Sequence, residues 1–193
     1  MNTTAQKNEL IFRYSSGSLG EAKSLFTSMY LYLNGSAAKK ASVFENILGG
    51  TLNDIEGINL KKLSYLDCIK DPETKKINGN SPKNPITNLI GEINNINWKS
   101  IYKGFKEFNI PVNDKDSLKL IKMDPGTSVP LHSHNGKEYI LVLDGSFCDE
   151  YGEYNKGDMQ INDQQIKHNP TACNSSGCVC LSITENDVVF FGK

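Results

Sequence analysis

Three histidines are all that this chain of 193 residues contains, and all of them fall between positions 132 and 168. His132 and His134 stand two apart, so on a β-strand both imidazoles leave the same face. Asn135 and Gly136 follow them, a pair suited to a tight turn that returns Glu138 opposite the two rings. His168 lies thirty positions beyond Glu138, and only a closed sheet brings it back to the others. Neutral imidazole and ionised carboxylate are ligands that zinc, iron, nickel, copper and manganese accept. Any one of these histidines alone would read as an ordinary surface or core residue. The set of His132, His134, Glu138 and His168 instead predicts one divalent metal ion, and no other cluster in the chain offers the same chemistry.

Such a site needs a β-rich frame, and from Trp98 onward the sequence supplies one. Short runs at Ser117 to Met123, Glu138 to Leu143, Asp158 to Ile161, Cys178 to Thr184 and Val188 to Phe191 alternate with turn residues, the pattern of a sandwich or closed barrel. Cys178 and Cys180 share one face of their strand, on the barrel's inner side. They read either as a redox pair beside the metal or as small buried hydrophobes. Cys68, Cys148 and Cys173 have no informative spacing. Asp149, Glu150, Asp158 and Asp163 read as solvated strand ends and turns, so no general base stands out.

The first part of the chain reads as helical from 10 to 52. Leu19, Ala22, Phe26, Met29 and Leu33 form an amphipathic stripe, and Ser18 with Glu21 resembles a capping box. Asn34, Gly35 and Ser36 break this helix from a second one, which carries Ala38, Val43, Phe44, Ile47 and Leu48 and stops at Gly49 and Gly50. Met29 to Leu33 is apolar or aromatic around the whole helix circumference, so it needs cover on more than one side, from neighbouring helices or from a partner. Residues 71–84, with two prolines and no apolar period, read as a linker. Asn84 before Pro85 marks the start of a further short helix, Ile86 to Ile93.

Composition narrows the function classes. Net charge is -1, and the chain split after residue 80 carries +2 and then -3, which gives no footprint for direct nucleic-acid binding. No apolar run approaches a membrane span and the first ten residues lack a signal-peptide pattern, so the chain reads as cytoplasmic. Five cysteines in that setting are reduced thiols rather than a disulfide framework.

Gly126, His132, His134, Glu138 and Gly145 occupy every fixed position of the first cupin motif, and Gly152, Gly157 and His168 reproduce part of the second. There Asn155 stands in place of a proline, the spacing to the histidine is longer, and no asparagine follows four residues after it. Over nearly its whole length the chain resembles the ChrR-type anti-sigma factors, a helical anti-sigma domain followed by a zinc-binding cupin. The segments that carry this are Leu10 to Leu19, Ile96 to Trp98, Asp124 to Thr127, Asp144 to Phe147, Gly152 to Tyr154 and Cys178 to Cys180.

The resemblance implies an α+β protein of two domains. A small helical bundle occupies 1–70, a linker with a short helix 71–95, and a cupin jelly-roll β-barrel 96–193. It makes zinc the first choice of metal, ahead of iron, nickel or manganese. The family's N-terminal domain holds its own zinc through a His, three residues, Cys, two residues, Cys pattern, whereas the aligned positions here are Tyr30, Asn34 and Ala37. Residues 1–67 contain no histidine or cysteine, so this half folds on apolar contacts rather than on metal.

The function implied is transcription regulation in a stress response. The helices would sequester an extracytoplasmic-function-type sigma factor, and the metal-binding cupin would sense an oxidant or small ligand. Two alternatives stay open: a metal-dependent cupin dioxygenase-like enzyme, and a metal-stabilised module whose aromatic stripe forms a homodimer.

Overall fold

Helix α1 spans Thr3–Ser15, α2 Glu21–Leu33 and α3 Gly35–Leu52, and a short α4, Pro85–Ile90, precedes the first strand. The computed structural model describes residues 3–52 and 84–191. The boundary expected after residue 70, nearly all of the 71–84 linker and Cys68 lie outside the described residues. Helix α1 begins well before position 10, so among the described residues the expected helical hairpin is joined by a third helix. Helix α4 starts as its sequence demands: the Asn84 side chain accepts from the amides of Ile86 and Thr87, and Pro85 sits at the first turn.

Ten strands follow: β1 Lys99–Tyr102, β2 Phe105–Asn109, β3 Ser117–Met123, β4 His132–His134, β5 Glu138–Asp149, β6 Gly152–Asn155, β7 Met159–Asn162, β8 Thr171–Ala172, β9 Cys178–Thr184 and β10 Val188–Phe190. The main sheet runs β1-β2-β3-β9-β5-β6, with β7 and β8 also paired to β5, while β4 pairs with β10. Every named pairing is antiparallel, and the sheet is cupin-like. Gly145 of the motif sits at φ 69°, just past the register shift in β5. A Cβ there would run into the Gly177 carbonyl, so both backbone conformation and space require glycine.

Alternate residues of β3, β5, β7 and β9 serve two different layers. Leu118 and Leu120, Tyr139, Leu141 and Leu143, Met159 and Ile161, and Leu181 and Ile183 join Leu10, Ile11, Ala22, Phe26, Met29 and Tyr30 in one buried cluster. Helices and sheet therefore share a core, with Phe26 set edge-on to Tyr139 at 6.0 Å between centroids. The opposite side carries Phe105, Met123, Ile140, Val142, Phe147, Cys178 and Cys180. The cover that Met29 and Tyr30 require thus comes partly from the sheet itself.

The start of α2 is tied to the sheet rather than capped locally. Its N-cap is Gly20, without a side-chain cap, so the expected Ser18 and Glu21 box does not form. Instead the Asp114 carboxylate accepts from the Ala22 amide at 3.0 Å, and Glu21 reaches across to the Asn113 amide at 2.6 Å. A carboxylate brought in by tertiary packing does the capping that sequence assigned to a neighbour. Lys23 completes the contact, 2.8 Å from both Asp116 and Glu185.

Tyr30, Asn34 and Ala37, the positions that the resemblance set against N-terminal zinc ligands, build a helix junction. Asn34 donates its amide to the Tyr30 carbonyl, and its side chain accepts from the Ala37 amide. Tyr30 and Ala37 are buried. Capping and packing here stand where the resemblance implied metal bonds.

Candidate metal centre

β4 presents His132 and His134 in the sequence His-Ser-His, and β5 begins with Glu138 four residues later. Pairing of β4 with β10 and of β5 with β7 and β9 fixes both strands. His168 lies between β7 and β8. It reaches the others through an isolated antiparallel bridge, in which His132 and His168 exchange backbone hydrogen bonds of 3.0 Å each. The four residues that the spacing singled out are brought together: one ligand atom from each lies within 4.8 Å of every other, and all four residues are buried.

Glu138 Oε2 is 3.0 Å from His134 Nε2 and 3.3 Å from His168 Nε2. Neither contact satisfies the nitrogens: His134 Nδ1, His134 Nε2 and His168 Nε2 are buried without a hydrogen-bond partner. Buried polar atoms of this kind are rare in the absence of an unaccounted ligand, and the two Nε2 atoms converge with a carboxylate oxygen. The donor set therefore fits a divalent cation, and the quartet could hold one metal ion. A metal bound there would act as a Lewis acid or as a structural tie, according to whether a coordination position stays open.

The surrounding groups fix the rings. His132 Nδ1 is 2.8 Å from the Pro130 carbonyl, which leaves Nε2 facing the quartet. His168 Nδ1 is 3.1 Å from Asp149 Oδ2, giving the carboxylate and histidine pairing that orients metal ligands. Asn162 donates to Glu138 Oε2 at 3.1 Å, and Gln160 donates to Asp149 at 2.7 Å. Asp149 and Asn162 were not legible as site residues. The Asp149 side chain is fully enclosed rather than solvated, because β5 runs on to position 149 and delivers it beneath His168.

The electrostatics follow from this enclosure. Burial opposes ionisation of Glu138, but the adjoining His134 and His168 rings hold its carboxyl well below the usual range. Burial likewise opposes charge on His168, yet Asp149 and Glu138 push its pKa up to about 9. His132 moves down, through burial and the neighbouring His168 charge. A metal bound by the quartet would compete with protons for the His168 ring.

A cavity of about 490 Å³ adjoins the quartet, lined among others by His132, His134, Glu138, Ile121, Ile140 and Phe147. Cys180 lines it too, and its Sγ lies 3.3 Å from that of Cys178. Both thiols are free and buried on the inner side. The Cys178 thiol and burial together push the Cys180 pKa up, which keeps it a neutral, weakly nucleophilic thiol.

The model of the ChrR cupin-like domain matches residues 87–186. The anti-sigma-E factor ChrR of Cereibacter sphaeroides is 26% identical over 190 residues, covering 94% of this chain and 89% of that protein. The crystal structure of Rhodobacter sphaeroides SigE in complex with the anti-sigma ChrR superposes with a TM-score of 0.79 and 26% sequence identity, over 92% of this chain and 96% of that one. Among the described residues no helix is long and apolar enough to cross a membrane. A family model that matches just over half of the chain, all four residues of the quartet included, leaves one conclusion: the chain belongs to the ChrR cupin-like family.

Proposed function

We propose that this protein is an anti-sigma regulator. Its helices, within a unit of residues 1–70, hold an extracytoplasmic-function-type sigma factor. Its barrel, from 96 to 193, carries one divalent ion, zinc first, on His132, His134, Glu138 and His168 and responds to an oxidant or small ligand. The carrying observation is a likeness that runs through both halves, 94% of the chain, to a protein named as an anti-sigma factor. Physically, a helical unit that grips a partner needs an apolar face left open. Val43 and Ile47, one turn apart on α3, are 55% and 58% exposed, and the exposed Phe12 sets its ring against Phe44 of the same helix.

A response also needs a route from the barrel to the helices, and Glu185 supports one. It accepts from the Lys137 amide, next to the ligand Glu138, and pairs with Lys23 on α2. A shift of Glu138 on gaining or losing the ion would be felt at α2 through this connection. The test is co-expression with the sigma factors of the same genome: one of them co-purifies with the wild type and is lost from the Val43→Asp, Ile47→Asp double variant. Absence of any sigma partner, with a stable homodimer instead, refutes the proposal.

The cavity beside the quartet favours one alternative, a metal-dependent dioxygenase-like enzyme. Substrate-dependent oxygen consumption by the iron-loaded chain would select it over the regulator.

A further inference from the structure

The walls of the cavity divide by chemistry along the strands. Glu138 pairs with Thr184 at one level, Ile121 with Cys180 two levels on, and Met123 with Cys178 at the far end. His132, His134 and Glu138 of the quartet thus line one end, with the Ser182 and Thr184 hydroxyls on their side, while Ile121, Met123, Phe147 and Phe105 line the rest. The other two charged lining groups cancel each other, since Lys119 Nζ is 2.9 Å from Glu107 Oε2. No free carboxylate outside the quartet is left to attract an ammonium. The polar groups are also too few and too localised for a sugar.

The cavity reaches the surface through apolar residues. Ile101, Tyr102, Val188 and Phe190 line it and are 44%, 37%, 38% and 59% exposed. Large apolar side chains left part-exposed at the rim of an apolar hollow suit the entry of an apolar ligand. Space of this size accommodates a molecule of on the order of a dozen non-hydrogen atoms.

We propose that the barrel binds a small amphiphile, a medium-chain or aryl monocarboxylate, with its apolar body on Ile121, Met123, Ile140 and Phe147 and its carboxylate at the quartet. An anionic oxygen head suits an end that holds a cation, and the body suits the remaining walls. The placement of the head rests on the quartet being a metal site, and the regulatory consequence rests on the anti-sigma reading.

Calorimetric titration of the metal-loaded full chain tests this, with octanoate, octanol and octylamine as probes. Octanoate binds saturably with one site per chain, octanol at least about tenfold more weakly, and octylamine not at all. Ile121→Trp fills the body of the cavity away from the ligands and weakens octanoate about tenfold or more, with metal content and melting temperature unchanged. Ile121→Phe gives the same direction should the larger side chain disturb folding. Removing the metal with a chelator weakens octanoate but leaves octanol unaffected.

No octanoate binding at millimolar concentration overturns the proposal, as does equal affinity for octanol or indifference to both Ile121 substitutions. Sigma-factor capture is measured on the same preparation. Its failure with octanoate binding intact refutes the regulator alone, and its success without octanoate binding refutes the amphiphile alone.

Discussion

The two faces of the same strands do different work. On the outward side of β3, β5 and β9, Leu118, Leu120, Tyr139, Leu141, Leu181 and Ile183 pack directly beneath the helices. On the inward side, Glu138, Ile140, Cys180 and Ser182 border a cavity and a set of metal-ligand donors. Stability and the docking of α1 and α2 thus depend on one set of alternate residues, and chemistry on the set between them. A register slip by a single residue would exchange the two sets, so the pairing of β5 with β9 protects both at once.

The largest test of this division is on the outward side. Phe26 is fully buried against Tyr139, and Phe26→Ala is expected to cost about 3–5 kcal/mol. Chemical denaturation should show the loss in a single transition, because helices and sheet share a core. Separate unfolding of the two halves would break the comparison. His134→Ala, on the inward side, is expected to leave the helices docked.

Next comes the polar tie between the layers. Lys23→Met leaves Asp116 and Glu185 without their shared cation and is expected to cost about 2–3 kcal/mol at neutral pH. Burial opposes the charge on Lys23, but Asp116 and Glu185 hold its pKa above the ordinary value. Burial also opposes ionisation of Glu185, but Lys23 and the Lys137 amide hold its pKa below the ordinary value. A depressed carboxylate stabilises fully above its unfolded pKa of about 4.3 and ceases to as pH falls through the lower folded value; a raised lysine does so below about 10.4 and ceases to as pH climbs past its folded value. The gap between wild type and Lys23→Met should therefore be widest between those limits and narrow in acid. A gap that does not change with pH would show that the tie contributes by packing alone.

A smaller effect is expected behind the quartet. Asp149→Asn removes the carboxylate that orients His168 and should lower metal affinity about 10- to 100-fold, read by competition with a chromogenic chelator, without unfolding the chain. Unaltered affinity would show that His168 needs no such support. The smallest test uses one chemistry on both faces. Ile183→Val, in the dense outward layer, should cost about 1–1.5 kcal/mol, and Ile140→Val, beside the cavity, about 0.5 kcal/mol. Equal costs would mean that the inward wall is as tightly packed as the outward one.

What could be read from the residues divides along similar lines. His132 and His134 were legible because one strand fixes their relative positions locally, and β3, β9 and the α2 stripe because periodicity is local too; Glu138 does arrive beside them, but not by the expected tight turn, since β4 pairs with β10 and β5 with β7 and β9. His168 was legible only as a member of a set that needed a closed sheet. Asp149 was not, since its sequence reads as a hairpin end and only the length of β5 places it under His168. Asp114 capping α2 was equally hidden: Ser18 and Glu21 offered a local cap, and a carboxylate from a distant loop supplied it. Part of the cover over Tyr30 came from the sheet for the same reason, that tertiary contacts leave no periodic trace.

Stoichiometric metal analysis of the purified wild type and His134→Ala tests the quartet most directly. About one divalent ion per chain in the wild type and nearly none in the variant is the expected result. A folded wild type that takes up no ion from a zinc-containing buffer, or a variant that keeps as much as the wild type, would contradict it.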